Sequence, residues 1–272
     1  MKTWLRSVMT SLLALGMLLN LTPMTLAGSA DTASSQKLVA LTFDDGPGEY
    51  SDDILDTLRR HNAKGTFFLI GRKVRTCPDQ VRRMAAEGHQ IGNHTDTHPY
   101  LTECSDAAIQ QEVRDTALAI TEVTGLTGTG DTGFYLRPPY GSYSDRVATA
   151  AHVPVIWCTV DSGDWKYRSA RYLVNYFGSQ VQDGDILLLH ETVQSTAQGL
   201  DALLTKLEER GFEMVTVEAL FQRRGITPEP GEIYFGGREE NCTLQFPNTS
   251  ILGGATLLQR LFVLGFPPAN VQ

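Results

Sequence analysis

The chain has 272 residues, of which 20% are charged, and its formal net charge at pH 7 is -8. This length is compatible with one large α/β domain and additional segments. Binding to nucleic acid or to anionic lipid requires clustered Lys and Arg, so the acidic composition argues against both functions.

The first residues have the pattern of an export signal. Lys2 and Arg6 precede an apolar run, Val8–Leu21, and small residues follow near Ala27. This order predicts a secretory signal peptide over residues 1–27 and hence an extracellular or wall-associated protein. The apolar run is short for a membrane-spanning helix, so an uncleaved anchor is the less favoured interpretation, and no transmembrane segment is expected after cleavage.

The chain contains four cysteines, and export permits disulfides. Cys158 lies in an apolar strand pattern and is predicted to be a buried free thiol. Cys77 and Cys104 are both predicted in loops, where they could pair, although spacing alone does not establish connectivity. No CxxC spacing indicates a structural zinc site.

Three segments follow the predicted signal. Residues 28–36 are small and polar, which is typical of a linker. Residues 37–225 alternate between strand-like and helix-like patterns and are predicted to form one catalytic domain. Residues 226–272 begin with a Pro-rich stretch and contain an apolar patch, Leu257–Phe266; this C-terminal tail has no predicted role.

The central domain is predicted to contain seven strands and seven helices in alternation. The predicted strands are Leu38–Phe43, Gly65–Ile70, His89–Asn93, Phe134–Arg137, Val153–Val160, Asp185–His190 and Phe212–Thr216. The predicted helices are Asp52–His61, Pro78–Glu87, Ser105–Thr124, Ser144–Ala151, Ser169–Val181, Thr196–Arg210 and Val217–Arg223. Such alternation requires parallel strands joined by helical crossovers, and both a distorted TIM-type barrel and a doubly wound sheet satisfy it.

Polar side chains collect where the predicted strands end. The clusters, in chain order, are Asp44 with Asp45, His94 with His98, Arg137 with Tyr140, Asp161 with Asp164 and Trp165, and His190. In a barrel of parallel strands these ends meet at one rim, which is where such folds place their active sites. The sequence therefore predicts an active site at this rim.

The two histidines predict a metal site. His94 and His98 are four residues apart beside a turn and could bind one ion from one side, with Asp45 or Asp44 as a third ligand. Three protein ligands leave positions open for water and substrate, as in catalytic sites. The ligand types suit zinc and also cobalt, nickel or iron.

The other polar residues could supply proton transfer. The unligated carboxylate of the Asp44/Asp45 pair would act as a base, and His190 would act as an acid. Arg137 could keep the base ionised, and Asp161 could hold His190 in its cationic form.

Five ordered segments carry a resemblance to a known family. They are Thr42–Pro47 (TFDDGP), His94–His98 (HTDTH), Arg137–Gly141 (RPPYG), Asp161–Trp165 (DSGDW) and Leu188–His190 (LLH). Together they resemble the motifs of the polysaccharide deacetylases, the NodB-homology proteins of carbohydrate esterase family 4. The resemblance implies a distorted (β/α)7 barrel and metal-dependent removal of acetyl groups from N-acetylated sugars.

The resemblance also implies a role for each site residue. Asp44 would be the general base, oriented by Arg137, and Asp45, His94 and His98 the metal ligands. The remaining roles would fall to Tyr140, whose backbone N–H would bind the oxyanion, Asp161, which would tune the acid His190, and Trp165 and Leu188, which would line the acetyl pocket.

The leading functional hypothesis is a monomeric deacetylase of cell-wall polysaccharide, with peptidoglycan or a chitin-like oligomer as substrate. Two alternatives remain open. The same site could remove O-acetyl groups from xylan, or the protein could bind wall carbohydrate without catalysis.

Overall fold

The computed structural model describes residues 36–238. Its central strand, β1 (Lys37–Gly46), alternates its side chains between two apolar layers. The layer beneath the helices contains the alternate residues Val39, Leu41 and Phe43. Ala40 packs in the second layer, on the opposite face. Because side chains alternate along a strand, Thr42 and Asp44 lie on the same face as Ala40. The C-terminal end of β1 therefore places polar side chains on the second layer.

The strands are parallel, as the alternating pattern predicts. The remaining strands are β2 (Thr66–Leu69), β3 (Gln90–Asn93), β4 (Val155–Ile156), β5 (Val160–Asp161), β6 (Asp185–His190), β7 (Phe212–Val215) and β8 (Ile233–Tyr234). The main sheet has the order β3-β2-β1-β6-β5, with β7 also paired to β1, and β4 pairs with β8. Single bridges through Leu136 connect β3 to β4. The predicted α/β fold of the distorted (β/α)7 type is confirmed, although the described sheet does not close into a complete barrel.

The helices lie between the strands. They are α1 (Ser51–Arg60), α2 (Gly71–Thr76), α3 (Pro78–Ala86), α4 (Asp106–Thr124), α5 (Asp145–Ala151), α6 (Asp164–Tyr167), α7 (Ala170–Tyr172), α8 (Gly178–Gln180), α9 (Gln194–Glu209) and α10 (Val217–Arg224). Helix α4 begins at Ser105, whose side chain accepts a hydrogen bond from the Ala108 N–H, and ends at Gly125 with a φ of 77°. Its predicted boundaries are therefore explained by its caps.

The predicted fifth strand, Val153–Val160, is wrong as one element because the chain changes partners within it. The Trp157 N–H donates to Tyr234 O on β8, whereas the Thr159 N–H donates to Ile186 O on β6. Two different neighbours divide the segment into β4 and β5. The predicted helix Ser169–Val181 is likewise divided, into α7, a π-helical turn over Leu173–Phe177, and α8.

The ordered fold continues beyond the predicted boundary at residue 225. Strand β8 pairs with β4, and both of its residues, Ile233 and Tyr234, are buried. The signal segment 1–27, the apolar patch Leu257–Phe266 and Cys242 lie outside the described residues. Within residues 36–238, no helix has the length and apolar character needed to span a membrane.

The described cysteines are all free thiols. Cys77 and Cys104 do not form the disulfide that their loop positions allowed, and the Cys104 thiol instead contacts Tyr100 O at 3.5 Å. Cys158 is buried and free, as predicted, and burial raises the pKa of its thiol.

Candidate active site

The site lies where β1 and β6 end side by side. In the parallel register of these strands, Thr42 is opposite Leu188 and Asp44 is opposite His190. Residues two apart on a strand point to the same face, so these four side chains share one side of the sheet. The predicted base and the predicted acid are therefore neighbours across two hydrogen-bonded strands.

Three side chains converge as a candidate cation site. Asp45 Oδ1 lies 3.3 Å from His94 Nε2 and 3.0 Å from His98 Nε2, and the two Nε2 atoms are 3.2 Å apart. His94 Nδ1 lies 2.6 Å from Arg137 O, an acceptor, so this nitrogen carries the proton and the Nε2 lone pair faces the other two side chains. Burial opposes ionisation of Asp45, but the two imidazoles lower the pKa of its carboxyl well below the usual range. Two imidazole nitrogens and a carboxylate fit a divalent metal ion.

The backbone around this triad is strained. Asp45, His98 and Tyr140 have φ values of 71°, 67° and 57°, in the left-handed region that non-glycine residues rarely adopt. Each such residue costs about 1–3 kcal/mol and persists only where its surroundings impose it. Such strain at three neighbouring positions is typical of a functional site.

Glu112 holds the loop that carries the two histidines. From helix α4, its Oε2 accepts hydrogen bonds from the N–H groups of Asp96 and Thr97, both at 2.8 Å, and its Oε1 accepts from the Thr97 hydroxyl at 2.6 Å. Asp96 itself is not part of the triad and forms an ion pair with Arg75 at 2.5 Å. Glu112 thus fixes the path of the chain between His94 and His98.

Asp44 and Arg137 form a buried ion pair beside the triad. Arg137 Nη1 lies 2.9 Å from Asp44 Oδ1 and also contacts the Thr42 hydroxyl. The rest of the guanidinium donates to Ile156 O at 3.2 Å and Trp157 O at 3.0 Å. With its hydrogen bonds fixed in this way, Arg137 can orient Asp44 and balance its charge.

On the other side, His190 is held by a different acid from the one predicted. The prediction of Asp161 as its hydrogen-bond partner is wrong, because Asp164 Oδ1 lies 2.7 Å from His190 Nδ1, while Asp161 Oδ1 accepts from the Gly163 N–H. The charge of His190 still acts to lower the pKa of Asp161, which burial raises. Asp164 Oδ2 also accepts from the His190 N–H at 2.8 Å and from the Thr196 hydroxyl at 2.6 Å.

These contacts change the acidity of His190. Burial opposes the cationic imidazole, but the hydrogen bond to Asp164 and the negative charges of Asp164, Asp44 and Asp45 raise the pKa of His190 to about 9. The pKa of Asp164 is lowered: burial raises it, and the contacts with His190 more than compensate. A protonated imidazole at neutral pH can serve as a proton donor.

The residues predicted to contact substrate lie around this centre. The Tyr140 ring packs against the edge of His98, with centroids 4.5 Å apart, and stacks on Tyr100 at 4.1 Å. Leu188 is 4% exposed, whereas Trp165, beside Asp164, is 53% exposed. Their roles toward the acetyl group and the oxyanion stay predictions.

Comparison with known proteins decides the family. The sequence profile described as Polysaccharide deacetylase matches residues 31–164. A T48 deacetylase solved with substrate has a TM-score of 0.69 and 35% identity, and the match covers 74% of this chain and 98% of that one. The chain belongs to the polysaccharide deacetylase family. This confirms the resemblance found in the sequence motifs.

Two curated family members are similar over the same region. The peptidoglycan-N-acetylglucosamine deacetylase PgdA of Listeria monocytogenes is 40% identical over 204 residues, which are 75% of this chain and 42% of that protein. The peptidoglycan-N-acetylmuramic acid deacetylase PdaC of Bacillus subtilis is 35% identical over 187 residues, 68% of this chain and 39% of that protein. The chain thus spans less than half the length of either relative.

One buried carboxyl of this polysaccharide deacetylase lay outside the sequence-based predictions. Glu191 directly follows His190 and is fully buried; its Oε2 accepts from the Ser51 hydroxyl at 2.5 Å. Its Oε1 has no hydrogen-bond partner among the described residues and occupies the space that a side chain at Gly46 would need, 1.1 Å from an ideal Cβ. Burial raises the pKa of Glu191 to about 8; Ser51 and Lys73 oppose this rise.

Proposed function

We propose that this chain is a metal-dependent deacetylase that removes N-acetyl groups from peptidoglycan. The observation that supports it best is the convergence of three groups at one rim. These are the triad of Asp45, His94 and His98, the buried pair of Asp44 and Arg137, and the pair of His190 and Asp164. Together they provide a cation site, a base and an acid, which amide hydrolysis requires.

The triad would hold one divalent ion. Zinc suits two imidazoles and a carboxylate, and cobalt or nickel would compete for the same ligands. A bound ion supplies Lewis acidity toward the acetyl carbonyl and the attacking water.

The chain's own residues would then move the protons. Asp44, held by Arg137, takes a proton from the attacking water as the new C–O bond forms. The Tyr140 N–H donates a hydrogen bond to the developing oxyanion. His190, oriented by Asp164, gives its proton to the amide nitrogen as the C–N bond breaks. The products are acetate and a sugar with a free amine.

Peptidoglycan is the proposed substrate because both curated relatives are named for it. Their names differ in the sugar, glucosamine in one and muramic acid in the other, so we treat these two sugars as arms of one experiment. Export through residues 1–27, a wall location and a monomeric state belong to the same proposal. Fractionation of the producing cells would test the first two, and size-exclusion chromatography would test the third.

The test measures acetate released by the full chain from peptidoglycan, chitohexaose and acetylated xylan. Each assay is run after chelation and after addition of zinc, cobalt or nickel, and the Asp44→Asn variant with equal metal content is the control. We expect metal-restored release from peptidoglycan and at least a hundredfold less from Asp44→Asn. The mass of the digested sugars then identifies which one lost its acetyl group.

Two outcomes would overturn the proposal. Release from xylan alone would indicate an ester hydrolase that uses the same site. No release from any substrate by the metal-loaded protein, together with glycan binding, would indicate a binding protein.

A further inference from the structure

Exposed aromatic side chains lie beside the candidate active site and along the segment that follows Asp164. Among the described residues, seven large hydrophobic side chains are exposed, and five of them are aromatic. Tyr100 and Tyr140 stand beside the metal triad, and the other three, Trp165, Tyr167 and Tyr176, belong to one segment after Asp164. We refer to Trp165–Tyr176 as the rim segment.

The rim segment presents its tyrosines outward because other residues anchor it. Leu173 and Phe177, four residues apart, are both 1% exposed and pack in the main core. Tyr172 and Tyr176 directly precede these two residues and are also four apart, so their side chains lie next to each other on a neighbouring face of the helical turn. Their rings stack at 5.1 Å, and Tyr172 stacks on Tyr167 at 4.0 Å. In this stack Tyr176, 57% exposed, is the outermost ring.

The stack is continuous with the active site. The Tyr167 ring lies over Gly163, which precedes Asp164 and has a φ of 60°; an ideal Cβ on Gly163 would be 2.9 Å from this ring. A chain of contacts therefore runs from the partner of His190 to Tyr176.

The rim segment is also cationic, in contrast to the acidic chain. It contains Lys166, Arg168 and Arg171 and no acidic residue. All three cations are exposed and, within residues 36–238, none forms a salt bridge; Arg168 Nε donates to Trp165 O at 3.2 Å, and Lys166 Nζ lies 5.6 Å from the centre of the Tyr167 ring. The nearest acid along the chain, Asp164, is already bound to His190.

We propose that the rim segment binds a carboxylate-bearing glycan strand next to the reacting sugar. Aromatic faces pack against the C–H faces of sugar rings, and tyrosine hydroxyls bond to sugar hydroxyls. Unpaired cations attract the carboxylates of the same strand. A neutral glycan such as chitin would use the tyrosines alone. The inference rests on the proposed function for the identity of the strand, and it adds a subsite that favours acidic glycans.

The test measures binding rather than turnover, on the full-length Asp44→Asn protein. The two probes are chitohexaose and a hexasaccharide of alternating N-acetylglucosamine and N-acetylmuramic acid without peptides. We expect the acidic probe to bind about tenfold more tightly at low salt, since three exposed charge contacts contribute modestly each. The preference should shrink at high salt because ions screen exposed charges.

Variants separate the two contributions. Replacing Lys166, Arg168 and Arg171 together by Gln should abolish the preference for the acidic probe. Tyr176→Ala should weaken binding of both probes by a similar factor. Arg114→Gln and Leu118→Ala, an exposed cation and an exposed apolar residue on α4, are the matched controls and should change neither affinity. Equal melting temperatures verify that every variant is folded.

Three results would overturn the inference: equal binding of the two probes by the parent, a preference that survives the triple replacement, or equal losses in the α4 controls. Failure of the proposed function has a different signature. Wild-type protein would then release no acetate, while the charge-dependent binding on Asp44→Asn would remain.

Discussion

The cation triad and the His190–Asp164 pair lie on the same rim. They differ in whether the protein supplies hydrogen-bond partners for all of their polar atoms. In the triad, Asp45 Oδ1 and the Nε2 atoms of His94 and His98 lie 3.0–3.3 Å from one another. Because His94 carries its proton on Nδ1, its Nε2 lone pair faces the acceptor Asp45 Oδ1, and a cation bound between them would satisfy both. In the pair, by contrast, Asp164 accepts three hydrogen bonds from His190 and Thr196 and needs nothing further.

Because of this difference, mutations in the triad and mutations in the His190–Asp164 pair should have different effects. Under the proposed function, the triad binds an ion and relies on the loop that carries its histidines, so mutations on this side should first lower the metal content. The acid pair is complete within the protein, so its failures should appear in the pH dependence with the metal retained. Four variants test this division.

The largest effect is expected for His94→Ala. Loss of one of three ligands should empty the site at micromolar metal and reduce acetate release about a thousandfold or more, because several kcal/mol of charge stabilisation is lost. Elemental analysis measures the metal content, and the rate of acetate release is measured alongside it. A variant that keeps its metal and its rate would remove His94 from the ligand set.

The second-largest effect is expected for Asp164→Asn. The neutral amide removes a charge-assisted hydrogen bond, so the pKa of His190 should fall from about 9 toward its ordinary value. Since a general acid must be protonated, the alkaline decline of activity should move to lower pH, and the smaller protonated fraction alone should lower the rate at pH 7 about fourfold. Loss of the carboxylate that orients the imidazole should bring the total drop to about a hundredfold.

Asp161→Asn is the control for this prediction. NMR titration of His190 in the chelated protein should show a downward shift of its pKa in Asp164→Asn and a much smaller shift in Asp161→Asn. The reverse result would restore the sequence-based assignment. Metal content should equal that of the wild type in both variants.

A smaller effect is expected for Glu112→Ala. Removing the side chain that bonds to Asp96 and Thr97 loosens the loop between the two histidines, and such supporting contacts are typically worth 10–100-fold, roughly, in metal affinity. The dissociation constant for zinc is measured by competition with a chelator. Glu122→Ala, an exposed glutamate on the same helix, should leave it unchanged. Equal constants in the two variants would contradict a supporting role for Glu112.

These variants also mark where sequence-based prediction succeeds and where it stops. The five motifs were recognisable because each is a contiguous segment at the end of a strand, and strand ends in parallel folds meet at one rim. The family and its fold type followed from that order. Asp44, Asp45 and the two histidines lie together as the motif positions predicted.

The partners of these residues were harder to predict because they depend on how segments turn and meet. Asp161 and Asp164 are three residues apart and equally plausible in sequence. Only the left-handed turn at Gly163 and the start of α6 direct Asp164 toward His190. Glu112 is 16 residues from Asp96 on a helix without a motif. Strand β8 was missed because two residues give no periodicity.

The smallest effect, at acidic pH, is expected for Glu191→Gln, because Glu191 lies between the two groups compared. Its backbone follows His190, and its side chain fills the space beside Gly46, next to Asp45. With a pKa of about 8 in the chelated protein, the carboxyl is mostly protonated at pH 6, and glutamine has nearly the same shape. At pH 4 the carboxyl is also mostly protonated in the unfolded chain, so the free energy of unfolding should change there by less than about 1 kcal/mol.

The free energies of unfolding of wild type and Glu191→Gln should diverge as the pH rises. The folded pKa of Glu191 lies above its unfolded value, so the folded state holds a proton that the unfolded state has lost, and wild-type stability falls between about pH 4.5 and pH 8. The total loss is on the order of 5 kcal/mol, at about 1.4 kcal/mol per pH unit, and Glu191→Gln should not show it. Urea unfolding with chelator at pH 5 and pH 9 measures the difference, with the exposed Glu103→Gln as control. A parallel pH dependence in wild type and Glu191→Gln would mean that the buried carboxyl is charged in both states, and that a cation near the Asp45–Gly46 turn balances it.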